Sequence, residues 1–171
     1  MSIIPKVLEL KYWPDPILAR KASPIQSGDM EPDELEQLIA DMIRTMDENQ
    51  GIGLAAPQVG VGKQLFIIRI EPSNTFVFIN PKITVLNDKP FKWEEGCLSV
   101  PGYFTKKSRP DHIKVDYIDV NGDEQSVEFV GLYAFAVQHE YDHLEGKLFI
   151  DGASRLKQSR IKCKMKKYLQ P

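Results

Sequence analysis

Two histidines four residues apart, His139 and His143, stand in the stretch QHEYDHLEG, and Glu140 directly follows the first of them. On a helix, residues four apart lie one turn above another on the same face, so both imidazoles can reach one ion. Glu140 points about 100° around from His139 and addresses a water held by the ion rather than the ion itself. A divalent cation lowers the pKa of such a water from about 15.7 to about 7 and polarises a carbonyl, while the carboxylate takes the proton. Hydrolysis of an amide or ester is the chemistry this arrangement predicts. The plainer explanation is a surface helix that carries two histidines by chance. Against it, Leu132, Phe135 and Ala136 fall on the same side as His139, which gives the helix an apolar wall beside its metal-binding end.

A metal held for hydrolysis normally takes three protein ligands and keeps one position open. Here no histidine follows His143, Glu145 is too close on the helix to swing around, and Asp151 is the acid left downstream. The other candidates are His112, Cys97, several upstream carboxylates and Cys163. His112 follows Arg109-Pro110-Asp111 and reads as a solvated loop residue, while Cys163 among lysines reads as a free thiol. Cys97 lies in WEEGCLSVPG, where glycines on either side let backbone approach closely and leave the thiol unobstructed. One cysteine with two histidines would have the ligand count of a catalytic site.

A third stretch, GIGLAAPQVG, loosely fits a dinucleotide fingerprint, but that fingerprint follows a strand and opens a helix. This one follows a helical pattern and runs into Pro57, which excludes the reading. A helix cap and turn is the bland alternative. The glycines would also let a peptide backbone lie against the loop, and Gln58 brings an amide donor suited to a developing oxyanion.

These residues need a frame. Leu35, Leu38, Ile39, Met42 and Met46 recur at helical spacing between Pro32 and Gln50, with Gly51 just beyond, which predicts a one-faced helix. Gln64 to Val85 reads as two strands broken at Pro72 to Asn74, and Ile113 to Val130 as a hairpin around Asn121-Gly122. Leu132 to Leu144, without Gly or Pro, is a second helix that carries the histidines, and a basic helix spans about residues 154–169 with Ile161, Met165, Tyr168 and Leu169 on one side. The opening stretch YWPDPILARKASPI reads as irregular and surface-hugging. This order predicts an α+β domain rather than a doubly wound sheet.

A chain of 171 residues, 42% hydrophobic, suits one domain over 1–171. Two cysteines are too few for a disulfide framework, and the first residues lack a secretory or membrane-spanning pattern, so a cytoplasmic, reduced setting is expected. The net charge of −2 is unevenly placed: Ser154 to Pro171 holds seven Lys/Arg and no acid. That asymmetry points to an anionic partner for the tail.

The three strings GIGLAAPQ, EGCLS and HEYDH, in that order, closely resemble the peptide deformylase family, whose pattern is GxGxAAPQ, EGCxS and HExDH. The similarity extends to YWPDPILARKASPI and so covers nearly the whole chain. It implies a deformylase-like fold with antiparallel sheets around a central metal-binding helix, and removal of formyl from N-formylmethionyl nascent peptides as the activity. By the resemblance the metal ligands are Cys97, His139 and His143, Glu140 is the general base and acid, and Gln58 and the Leu98 N–H are oxyanion donors. Gly51, Ile52, Gly53, Trp93, Glu95, Leu132, Phe135 and Ala136 would contact substrate. It further implies one divalent ion, Fe(II) natively with Zn(II), Ni(II) or Co(II) as substitutes, a monomer without membrane attachment, and weak ribosome contact through the basic tail. The competing readings are an HExxH endopeptidase, which would cleave internal peptide bonds, and an inactive metal-binding interaction module, which the presence of Glu140, Gln58 and Cys97 disfavours.

Overall fold

The computed structural model describes residues 3–170, apart from the side chain of Asp88. Helix α1 (Pro32–Glu48) starts where expected: Pro32 occupies its first turn, and the Glu31 N–H donates to Glu34 Oε2 at 3.0 Å. Its apolar stripe is buried through Ile39, Met42 and Met46. The buried polar residues on that helix have work to do as well. Asp41 accepts the N–H of Lys6 at 2.7 Å and Thr45 Oγ1 that of Leu8 at 2.8 Å, which pins the start of the chain along the helix.

Strands β1 (Gly53–Ala55), β2 (Leu65–Glu71), β3 (Asn74–Cys97), β4 (Val100–Ile118) and β5 (Glu124–Val130) form one antiparallel sheet in sequence order. Several sheets were expected, and a single one suffices because β3 and β4 are long and bent. Their pairing shifts register after Ile79, Val85, Asn87 and Glu95. Pro81 lies inside the first of these irregularities and Pro90 at the end of the third, opposite Pro110, positions where a residue without an N–H is tolerated. The strand predicted to stop near Val85 therefore continues to Cys97. The turn between β4 and β5 is the anticipated one: Gly122 has φ +86° and Asp119 Oδ1 accepts the N–H groups of Asn121 and Asp123.

Helix α2 (Leu132–Leu144) packs on the sheet, where Ala134, Ala136, Val137 and Leu144 join Phe66, Phe78, Ile113 and Phe129 in one core. Short side chains on this helix let it approach the strands closely. A second core lies between α1 and the sheet, and a third gathers Leu18, Val100, Phe149, Ile161 and Met165. Helix α3 (Arg155–Leu169), capped by Ser154 Oγ accepting the Lys157 N–H, buries Ile161 and Met165 in that third core. Of its predicted apolar stripe, Tyr168 and Leu169 remain exposed.

The opening stretch is largely irregular and lies at the surface, as expected. A short 3-10 turn at Pro16–Ala19, capped by Asp15, carries Leu18 into the third core, and Ala22 is buried too. The rest of the stretch is exposed or half-buried, so it runs over the surface with Leu18 and Ala22 as its anchors. No helix among the described residues is long and apolar enough to cross a membrane.

Candidate active site

Helix α2 presents its histidines toward the end of β3. His139 and His143 are 9% and 1% exposed, and their ring centroids lie 5.0 Å apart in an edge-to-face arrangement. Cys97, the last residue of β3, places Sγ 3.3 Å from His143 Nε2. Ligand atoms of these three residues all fall within 4.8 Å of one another. The remaining ligand candidates lie elsewhere. His112 pairs with Glu128 at 2.8 Å, Asp151 accepts the Leu148 N–H at 2.9 Å, and Cys163 is exposed on α3.

What orients His139 was not read from the sequence in this role. Its Nδ1 hydrogen-bonds the carboxylate of Glu95, two residues before Cys97 on β3, so Nε2 is the nitrogen free to ligate. Glu95 Oε1 in turn accepts from Arg109 Nη2 at 2.8 Å, and Arg109 Nη1 donates to Asp142 Oδ2 at 2.8 Å. Arg109 also lies over the Phe135 ring, 5.3 Å from its centroid. Strand β3, strand β4 and helix α2 are thus tied together by one buried cation. Burial alone would raise the Glu95 pKa, but hydrogen bonds from His139 and Arg109 outweigh it and hold the group down at about 2. Glu95 is among the residues around the groove, as predicted, yet its carboxylate is engaged beneath the histidine and serves to position it.

Burial pushes Glu140 up to about 7, against the opposing pull of His139. Its Oε2 is buried and has no hydrogen-bond partner among the described residues, nor has His143 Nδ1. Burial and then the charges of His139 and Arg109 hold His143 well below its usual pKa, so it presents a neutral ring. A thiol, two imidazoles and an unpartnered carboxylate oxygen beside them fit a divalent metal with a nearby proton acceptor. Imidazole and thiolate together suit several such ions.

Gln58 is almost fully buried. Its Oε1 accepts the Ala55 N–H at 2.9 Å, which turns Nε2 toward Ser99 Oγ (3.2 Å) and Cys97 Sγ (3.5 Å). The amide donor therefore points at the ligand cluster. Leu98 follows Cys97 at the tip of the β3–β4 hairpin.

A groove of about 560 Å³ opens over these groups. Gly51, Ile52 and Gly53 line it from the α1–β1 side, Trp93 and Glu95 from β3, and Leu132, Phe135 and Ala136 from α2. All eight predicted substrate residues thus border one space. The β3 segment beyond Lys82 pairs with β4 alone, and β1 is the edge strand of the sheet. Free backbone on both flanks suits an extended peptide. Phe104 and Tyr168, absent from the predicted set, also border the groove.

Residues 7–159 match the family model described as polypeptide deformylase. A peptide deformylase from Saccharophagus degradans is 45% identical over 98% of this chain and 94% of its own length, and one from Hahella chejuensis is 45% identical over 94% and 95%. Among solved structures, the peptide deformylase from Ehrlichia chaffeensis in complex with actinonin superposes with a TM-score of 0.87 at 36% identity, over 97% of this chain and 99% of that one. With a family match over most of its length, close relatives over nearly all of it and the same fold, the chain belongs to the polypeptide deformylase family.

Proposed function

We propose that this chain is a metal-dependent hydrolase that removes the formyl group from N-formylmethionyl nascent peptides, releasing formate and a free amino terminus. The observation that carries the reading is the convergence of Cys97, His139 and His143 beside the unpartnered Glu140 Oε2, at the head of a peptide-sized groove. Cys97 Sγ and the Nε2 atoms of the two histidines would hold the ion. When bound, that ion supplies Lewis acidity, making water a nucleophile near neutral pH and polarising a carbonyl.

The chain's own groups do the rest. Glu140 takes a proton from the attacking water as its oxygen bonds to the formyl carbon. The Gln58 amide, aimed at the cluster, and the Leu98 N–H donate to the oxyanion that develops. As the carbon–nitrogen bond breaks, Glu140 delivers the proton to the leaving amine. Ile52, Trp93, Leu132, Phe135 and Ala136 receive the methionine side chain, while Gly51 and Gly53 give the substrate backbone room to lie against the loop.

Fe(II) is the native ion in this proposal, with Zn(II), Ni(II) or Co(II) able to replace it. The protein is a cytoplasmic monomer, one domain over 1–171, of which positions 1, 2 and 171 lie outside the described residues. The exposed lysines of α3 make weak contact with ribosomal RNA phosphates.

Formate release from formyl-Met-Ala-Ser, measured beside cleavage of an unformylated longer peptide, tests the reading. Formate from the first and no cleavage of the second is expected, whereas internal cleavage without formate would establish an endopeptidase instead.

A further inference from the structure

The groove continues past the methionine wall. It runs along Pro101, Gly102 and Phe104 of β4 to Tyr168 in the last turn of α3. Ile161, Met165 and Tyr168 fall at i, i+4 and i+7 on that helix and so share one side. The first two anchor it in the core with Val100 and Phe149, while Tyr168 is 67% exposed. Gly102 fixes where the tyrosine stands. Its φ is +76°, and a Cβ there would lie 3.3 Å from Tyr168 Cβ and 3.5 Å from the Lys164 carbonyl oxygen. Glycine thus serves both the left-handed backbone and the close approach of the helix.

Phe104, 61% exposed, lays its ring against Gly96: a Cβ on that glycine would be 2.5 Å from the ring. Two aromatic rings bordering one peptide groove and open to water are surface that a bound side chain would cover. Which side chain follows from the pleat. Glu95 and Gly96 project to opposite faces of β3, Glu95 toward His139 on α2 and Gly96 toward Phe104. An extended peptide along the free edge of β3 alternates in the same way. With its methionine directed at α2, its next side chain emerges on the Phe104 face.

We propose that Tyr168, together with Phe104, forms an apolar subsite for the side chain of the second residue of the formylated peptide. The last turn of α3 is then a specificity-determining wall of the groove and not only a basic appendage. This rests on the deformylase reading above.

The test uses the metal-loaded full chain and three substrates: formyl-Met-Ala-Ala, formyl-Met-Phe-Ala and formyl-Met-Ala-Phe. Phenylalanine at the second position should raise kcat/KM about tenfold over the all-alanine peptide, mainly through KM. Tyr168→Ala should bring that ratio to about two or below, Tyr168→Phe should keep it, and Lys166→Ala, on the same turn, should keep it as well. A preference at the third position, no preference at all, or an equal drop on all three peptides in Tyr168→Ala overturns the subsite. Failure of every peptide to release formate overturns the deformylase reading itself, and the subsite with it.

Discussion

Gly53 and Glu140 touch: a Cβ built on Gly53 would lie 2.5 Å from Glu140 Oε1 and 2.9 Å from Glu140 Cδ. The glycine loop and the Glu140 carboxylate therefore occupy space that any side chain at position 53 would contest. Gly53→Ala should displace the carboxylate while leaving the fold intact. Since a misplacement of about 1 Å can lower a rate about a hundredfold, kcat/KM for formyl-Met-Ala-Ser should fall by about that factor. Near-normal turnover with bound metal would show that the carboxylate need not hold this position.

Glu140→Ala should retain metal and lose turnover by at least about a hundred- to ten-thousandfold, the range of a positioned general base. In the wild type, Glu140 must be ionised to accept the proton. Burial pushes its pKa up to about 7, and a bound cation would lower it. The acid limb of the kcat/KM–pH profile should then lie at or below pH 7, with activity falling as pH drops through it. An acid limb well above 7 would assign it to a different group.

Metal content separates the two thiols. Cys97→Ala, which removes Sγ from the cluster, should purify with little metal, and Cys163→Ala, on the exposed side of α3, should purify with the wild-type amount. Equal loss in both, read by elemental analysis of anaerobically prepared protein, would contradict the ligand set.

Acid should loosen the frame through Glu95. Its pKa in the fold is about 2, below the ordinary value of 4.5, so its contribution is fully present above pH 4.5 and is lost as pH falls toward 2. A shift of this size corresponds to a contribution on the order of 3 kcal/mol. Urea unfolding midpoints measured at intervals between pH 5 and pH 3 should decline in the wild type and decline less steeply in Glu95→Gln. Parallel curves would mean the Arg109 and His139 contacts contribute nothing through this ionisation.

The basic face of α3 is testable without disturbing its anchors. Lys166→Glu with Lys167→Glu reverses two exposed charges and leaves Ile161 and Met165 in place. Co-sedimentation with ribosomes at low salt should drop several-fold. An unchanged pellet fraction would reduce the helix to a solvated surface.

The elements that follow local periodicity were legible in the sequence. The spacing of Leu35 to Met46 and the Gly-free run from Leu132 to Leu144 gave helices close to those observed, and Asn121-Gly122 marked its hairpin. The residues that converge at the groove stood in short motifs too, His139 and His143 by their spacing and Cys97 by the family resemblance. Features set by pairing at a distance were not legible. Arg109 stands opposite Phe91 in the sheet and reaches along β3 to Glu95, which itself faces Thr105, a contact no local pattern encodes, and Pro81 and Pro90 disguised a strand of 24 residues. Leu18 appeared in a proline-punctuated stretch, but its burial depends on a core assembled from three distant segments. Tyr168 looked like one more member of an apolar stripe. Its place at the groove depends on Gly102, more than sixty residues earlier.

The Arg109 bracket bears on what happens when the ion is withdrawn. Glu95, Asp142 and His139 are held by hydrogen bonds to one another or to Arg109, and the three hydrophobic cores are built from residues other than the ligands, the third packing against Cys97. In domains whose fold is created by a structural zinc, a chelator unfolds the chain. Here chelation should extinguish activity while far-UV circular dichroism stays as it was, and resupplying the ion should restore turnover without refolding. On that outcome the centre is a socket in a standing wall, emptied and refilled while the wall remains.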